Sequence, residues 1–286
     1  MMHIMEHVLE HALEDTIKLL PFLFLTYLMM EYIEEKGSEK TYRLLHGNGK
    51  RGPVIGGLLG IIPQCGFAAV SVSLYAGGII TVGTMVAVLL STSDEMLPLL
   101  ISGRASIKDI LFIITMKVII GICAGVCVDI FVRKINHGKQ KGLHIHEICE
   151  RDHCHCEEGS LVKSALIHCV KIAGFIFVFS VVTGLIVEIV GADTIMASAS
   201  KYQMLSIVLV ALVGLIPNCA TSVAITTFYL DGIISLGCMF AGLLACSGMG
   251  LVVLFRTNRN WKKNVQILTG LYIISILGGI FMEIMI

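Results

Sequence analysis

Gly60-Ile61-Ile62-Pro63-Gln64-Cys65-Gly66 returns later in the chain as Gly214-Leu215-Ile216-Pro217-Asn218-Cys219-Ala220. Both stretches lie inside long apolar segments, where Pro is awkward because it lacks an amide and its ring crowds the carbonyl four residues back. Pro63 and Pro217 are therefore expected to free the carbonyls of Leu59 and Val213 and to break a helix. In a bilayer such breaks survive only where protein or a polar cavity supplies new partners. A carboxamide and a thiol follow each Pro, and both are possible ligands. The pair reads as twin breaks facing a shared site.

The likeness extends outward from the breaks. Adding 154 to the residue number carries Gly60, Pro63, Cys65, Tyr75, Gly78, Gly83, Met85, Leu89, Ser93, Leu97 and Leu100 onto identical residues, and Asp129 onto Glu283. At an offset of 153, Lys18, Phe22, Phe24 and Glu35 match Lys171, Phe175, Phe177 and Glu188. The chain is two homologous halves.

Composition places those halves in a membrane. Of 286 residues 56% are hydrophobic and 15% charged, against about a quarter charged in soluble domains. Several runs approach the ~20 apolar residues that span a bilayer as a helix. The fold class is an all-α integral membrane protein, multi-pass in the cytoplasmic (inner) membrane. The net charge of zero gives no basic surface for nucleic acid. Met1-Met2-His3 opens without a basic n-region or a small-residue cleavage site, so no removable signal peptide is expected. Seven of the cysteines, Cys65, Cys123, Cys127, Cys169, Cys219, Cys238 and Cys246, lie in apolar segments, where a thiol serves first as a small buried hydrophobe.

The chain divides into a His/Glu amphipathic lead-in (1–15), a first membrane repeat (16–132), a cytoplasmic His/Cys-rich link (133–161) and a second repeat (162–286). In the lead-in His3, His7 and His11 stand beside Glu6, Glu10 and Glu14. The two overlapping H-x-x-E-H matches describe a repeating helical stripe rather than one placed protease site.

Lys and Arg placement bears on orientation, because cytoplasmic loops carry the excess. Loop 34–53 holds Lys36, Lys40, Arg43, Lys50 and Arg51, while its counterpart near 191–203 has only Lys201. The later loops reverse the bias: Arg104 and Lys108 against Arg256, Arg259, Lys262 and Lys263. Opposed bias in equivalent loops is what inverted repeats produce. Inversion needs an odd number of crossings per half, and a re-entrant hairpin turning at Pro63-Gln64-Cys65 supplies it.

Ser91-Thr92-Ser93-Asp94-Glu95 interrupts an apolar run, and its counterpart is Cys246-Ser247-Gly248-Met249. A carboxylate at the bilayer centre costs at least ~2.5–3.5 kcal/mol, so Asp94 and Glu95 are either a helix end near the surface or members of a polar cavity. The flanking hydroxyls favour the cavity. Cys65 and Cys219 are expected to open half-helices, where unpaired amides favour a thiolate, the metal-binding form. The candidate ion-binding set is Gln64, Cys65, Ser93, Asp94, Glu95, Asn218, Cys219 and Ser247. Thiolates suit thiophilic ions, whereas carboxylate and amide oxygens suit manganese or magnesium, so the donors leave the ion open. In the link, His144, His146, Cys149, His153, Cys154, His155 and Cys156 form a cluster of metal donors without the paired C-x₂-C framework of a structural zinc module.

The run Ile62-Pro63-Gln64-Cys65-Gly66-Phe67-Ala68-Ala69, continued by Gly83-Thr84-Met85 and Leu90-Ser91-Thr92-Ser93-Asp94-Glu95, resembles the ten-helix heavy-metal exporters labelled arsenic-efflux or manganese-transporter-like. It is more distantly similar to organoarsenical efflux permeases, whose proline is followed by Cys-Ser-Cys; here only the first cysteine is present, at Cys65 and Cys219. The resemblance covers both halves but neither the link nor the His-striped lead-in. It implies secondary-active export of a manganese-like divalent cation or a trivalent arsenic species, with that ion and the lipid bilayer as partners and no cofactor beyond it. The absence of G-x-x-x-x-G-K-[ST] agrees with a carrier not driven by ATP. The alternatives are a membrane-embedded thiol oxidoreductase or protease-type enzyme, and a passive metal channel. The enzymes lack their signatures, since Cys123 and Cys127 are not a C-x-x-C pair and no His shares their helix.

Overall fold

The computed structural model describes residues 51–61, 65–92, 96–103, 105–135, 203–258 and 260–285, with helical positions also between 9 and 28 and between 166 and 182. Asp94, Glu95, Ser93, Pro63, Gln64, Lys201 and the link from residue 136 to 161 lie outside the described residues, while residues 133–135 end the last helix of the first half. The described residues are helical, with no strand among them.

The first half runs α1 (Gly52–Leu59), α2 (Cys65–Ala76), α3 (Val82–Ser91), α4 (Met96–Ser102) and α5 (Ile107–Ile135). The second runs α6 (Gln203–Gly214), α7 (Cys219–Leu230), α8 (Leu236–Ala245), α9 (Gly250–Thr257) and α10 (Trp261–Met285). Adding 154 carries the bounds of α2 onto α7 and of α3 onto α8 without a residue of slippage. The helix starts at Met96 and Ile107 likewise become those at Gly250 and Trp261.

The same local chemistry sets these bounds in both halves. α2 ends where the amides of Gly78 and Ile79 bond the carbonyls of Tyr75 and Leu74, and α7 where those of Gly232 and Ile233 bond Tyr229 and Phe228. This double C-cap requires a left-handed residue, and Gly78 and Gly232 supply it at φ 77° and 73°. Three residues on, Thr81 and Ser235 cap α3 and α8, accepting from the amides of Thr84 and Cys238.

A carboxylate from the last helix of each half then ties down the cap. Asp129 accepts from Thr81 Oγ1 at 2.7 Å and from the Gly83 amide at 2.8 Å. Glu283 accepts from Ser235 Oγ at 2.6 Å and from the Gly237 amide at 3.0 Å. Each pairing sets a negative group at a helix N-terminus, where the dipole favours it.

Close approaches fix how the helices run. α5 is antiparallel to α3: Asp129 lies at Gly83, Gly125 at Gly83 and Ala87, and Gly121 at Ala87 and Ser91. α1 runs parallel to α3, with Gly52 at Thr84, Gly56 at Val88 and Gly60 at Ser91. In the second half Gly242 of α8 is flanked by Val210 of α6 and Ile225 of α7. Because α2 and α7 lead through tight turns into α3 and α8, α1 and α2 run in opposite directions, as do α6 and α7.

Every residue of α3 from Gly83 and of α8 from Gly237 is buried, so these two helices form the centre. α5 and α10 bury one face and expose Leu111, Ile119, Ile130, Ile273, Leu277 and Phe281 on the other. Among the described residues, four stretches are long and apolar enough to cross a membrane: Val82–Ser102, Ile107–Lys134, Leu236–Thr257 and Trp261–Met285. An apolar outer face is what such helices present to lipid.

The halves exchange partners reciprocally. α9 packs on α2 and α4 on α7, with Gly250 against Ala68 and Leu89, and Gly103 against Leu230. The Cys169 thiol also reaches the Leu20 carbonyl at 3.5 Å, joining a helical position of one half to one of the other.

Candidate functional site

The site grows from the places where helices stop. α3 ends at Thr92 and α8 at Cys246, and Gly248 (φ 49°) carries the chain through a left-handed turn into α9. α7 begins at Cys219, directly after Pro217 and Asn218, and α2 begins at Cys65. Following α7 back from Ile225 and α8 forward from Gly242 brings Asn218 and Cys246–Met249 to the same depth.

The Pro217 break is tighter than the sequence suggests. The Val213 carbonyl, expected to be freed by Pro217, accepts from the Ile216 amide at 3.0 Å. The preceding Leu215 amide bonds Leu212 at 3.2 Å. The helix thus closes with i→i−3 bonds, a common way of satisfying terminal carbonyls, and Val213 is not a vacant ligand.

Of the candidate residues, Asn218 is buried at the tip and Ser247 is 1% exposed. The Ser247 hydroxyl donates to the Ala245 carbonyl at 3.3 Å. Gln64, Ser93, Asp94 and Glu95 lie outside the described residues, and Cys65 and Cys219 are located by their backbone alone. Among the described residues no three His, Cys, Asp or Glu side chains converge on a metal position. The structure therefore brings Asn218 and Ser247 to one depth.

Two residues outside the candidate set belong here. Thr221, in the first turn of α7, is 3% exposed and its hydroxyl has no hydrogen-bond partner among the described residues. Nothing in the sequence distinguishes it from the neighbouring hydroxyls. The other is Lys117, in the middle of α5 and 1% exposed. Its ammonium donates to the Thr92 carbonyl at 2.5 Å and to the Leu243 carbonyl at 3.1 Å. Thr92 caps α3 and Leu243 lies in the last turn of α8, so one cation bridges the C-terminal ends of both broken helices, one from each half.

The Thr92 hydroxyl donates to the Leu89 carbonyl at 2.8 Å. In the second half Leu89 becomes Leu243 and Thr92 becomes Cys246, and the Leu243 carbonyl accepts from Lys117. Helix C-termini carry partial negative charge, and two of them offset the cost of burying an ammonium. The sequence signal for Lys117 is plain in hindsight: a lone lysine midway along an apolar span. Its repeat counterpart is Leu271, so a reading guided by internal likeness passes over it.

No curated protein and no solved structure matches the chain. A family match runs over residues 4–197. It takes in the lead-in and the link, contrary to the expectation that the resemblance stops short of both, and it ends before the Pro217 stretch. Over that length the chain belongs to the family described as "Putative, 10TM heavy-metal exporter".

Proposed function

We propose that this protein is a secondary-active exporter of a heavy-metal or metalloid ion, working by alternating access between two inverted halves in the cytoplasmic membrane. The observation that carries the reading is the meeting of two broken helices, one per half, at a buried polar layer that holds Asn218, Ser247 and Lys117. Transporters of this general design bind substrate and coupling ion where discontinuous helices end near the bilayer midplane.

The helix directions support inversion. Lys117 lies at the break after α3, and Ile107 lies ~15 Å further along α5, away from the Gly78 turn. Residues 103–106 are too few to cross a ~30 Å core, so α4 ends on that far side. Gly103 packs on Leu230 there, which puts the Gly232 turn opposite the Gly78 turn. α8 then sets out from the side opposite to α3, and the hairpins tipped by Pro63 and Pro217 re-enter from opposite faces. Labelling single cysteines at Lys40→Cys and Lys201→Cys from outside intact cells checks this. Only one of the two reacts if the halves are inverted; equal reaction of both contradicts it.

Within this reading Gln64, Cys65, Ser93, Asp94, Glu95, Asn218, Cys219 and Ser247 form one shared binding layer, and an acid that exchanges a proton for a cation is the natural coupling group. The link, with His144, His146, Cys149, His153, Cys154, His155 and Cys156, captures metal on the cytoplasmic side. Growth of a deletion strain on manganese, zinc, cobalt, arsenite and methylarsenite tests the function. The chain restores resistance to at least one of these, and Asp94→Asn or Glu95→Gln, correctly inserted, does not. Cys65→Ser and Cys219→Ser abolish resistance to a thiophilic metalloid but only weaken it for manganese. A strain whose tolerance to all five is unchanged by deletion and by overexpression contradicts the proposal.

A further inference from the structure

Thr221 is buried, 3% exposed, and its hydroxyl has no hydrogen-bond partner among the described residues. Elsewhere the hydroxyls of Thr115, Thr226 and Thr257 each bond the carbonyl four residues back, at 2.7, 2.8 and 2.7 Å. The carbonyl four residues before Thr221 belongs to Pro217, ahead of the helix start, and the hydroxyl does not take it. A buried hydroxyl without a partner lowers stability, so this one calls for an explanation beyond the fold.

Its place in the break gives that explanation. Thr221 and Ile225 lie one turn apart on the same face of α7, and Ile225 packs on Gly242 of α8. α7 and α8 run in opposite directions through the Gly232 turn, so one turn back from Ile225 corresponds to one turn forward from Gly242. That step reaches Cys246, where α8 stops. The Thr221 amide bonds the Asn218 carbonyl at 3.1 Å, which fixes the residue within the turn that opens α7. The hydroxyl thus stands between the start of α7 and the end of α8, in the polar layer with Asn218 and Ser247. Two other buried side-chain atoms lack a partner among the described residues, and neither lies there. Ser73 is near the far end of α2. Asn264 is in the first turn of α10, its Nδ2 bonded to the Asn258 carbonyl at 2.9 Å.

We propose that Thr221 binds the transported species through an oxygen atom which that species carries: a water or hydroxide held by a divalent metal, or a hydroxyl group on trivalent arsenic. This rests on the exporter reading and adds the form in which the cargo enters the layer. The start of a helix carries partial positive charge and amides that lack acceptors within the helix. It repels a bare cation and attracts the lone pairs of an oxygen, to which the Thr221 hydroxyl donates. The cargo therefore keeps at least one oxygen at this point instead of being stripped to the bare ion. The repeat puts Phe67 where the second half has Thr221, so the oxygen is held on the side of the second half.

A valine in place of Thr221 keeps the shape and removes the hydroxyl. The full chain is purified, and its flux in liposomes is measured with manganese, zinc, cobalt, arsenite and methylarsenite in turn. Its Tm in detergent is measured with and without each. Without cargo, Thr221→Val is at least as stable as wild type, because it loses an unpaired group. Its half-saturation concentration for the transported species rises about tenfold, equivalent to about 1.4 kcal/mol. That species also raises its Tm less than it raises the Tm of wild type. Thr221→Ser keeps the hydroxyl and stays near wild type in both measurements. So does Ser73→Ala, which removes an unpaired hydroxyl away from the break. Flux of a divalent metal identifies the oxygen as metal-bound water or hydroxide, and flux of an arsenical identifies it as the hydroxyl on arsenic. Wild-type half-saturation in Thr221→Val overturns the role, as does a shift of the same size in Thr221→Ser or Ser73→Ala. A lower Tm of Thr221→Val without cargo overturns it too, since the hydroxyl is then held by the fold. Each of these results leaves the exporter reading standing. Wild type that neither moves nor is stabilised by any of the five overturns both.

Discussion

Asp129 and Glu283 perform the same task at equivalent positions with side chains of different length. Each takes one hydroxyl proton and one amide proton at the N-terminus of a central helix, so removing either leaves a buried cap unsatisfied. Asp129→Ala and Glu283→Ala should each cost about 1–2 kcal/mol of stability, seen as a lower Tm in detergent. The two sites lie in separate halves without shared partners, so the losses should add in the double variant. Metal flux in the folded fraction stays near wild type, because neither acid belongs to the binding layer. A double variant as stable as wild type contradicts the assignment. The equivalence of the two acids is legible at the offset of 154, but their partners are not, because threonine in one half answers to serine in the other. Lys117 stands apart from the repeat: internal likeness marks what the halves share, and this residue, with Leu271 at the equivalent position, is where they differ.

Among the elements, the repeat made the helix bounds readable. The Gly-rich turns, the two polar interruptions and the helix starts at Cys65 and Cys219 all fall where residue chemistry alone puts them. The direction of the Pro stretches was not readable from composition. Residues 52–76 are apolar over a length that suits a single span, and hydropathy does not distinguish a span from two short arms lying side by side. The decision rests on tertiary contacts between small residues, Gly56 with Thr84 and Val88 on one side and Gly214 with Gly242 and Ala245 on the other. Small residues let helix backbones approach closely in a membrane, but a glycine in the sequence does not say which helix it meets. The expectation for Val213 failed for a related reason. Proline removes one hydrogen bond from the ladder, but a tightened turn restores it with the amide one residue earlier.

At the scale of the molecule, two copies of one unit clasp each other by reciprocal exchange, α9 on α2 and α4 on α7, and the clasp surrounds the ends of α3 and α8. The carrier proposed above draws on a buried polar layer far from either end of the long helices, set between two similar halves. A channel would need a continuous path instead, and would pass ions in proportion to their gradient. Counterflow in proteoliposomes tests the difference most directly. Liposomes holding the purified chain and a high internal concentration of unlabelled manganese, zinc, cobalt, arsenite or methylarsenite are diluted into a trace of the radioactive ion. The account predicts transient accumulation of label above equilibrium, saturable in the internal metal and absent in Asp94→Asn. Label of a transported ion that only rises smoothly to equilibrium, or failure of all of manganese, zinc, cobalt, arsenite and methylarsenite to enter, would contradict it.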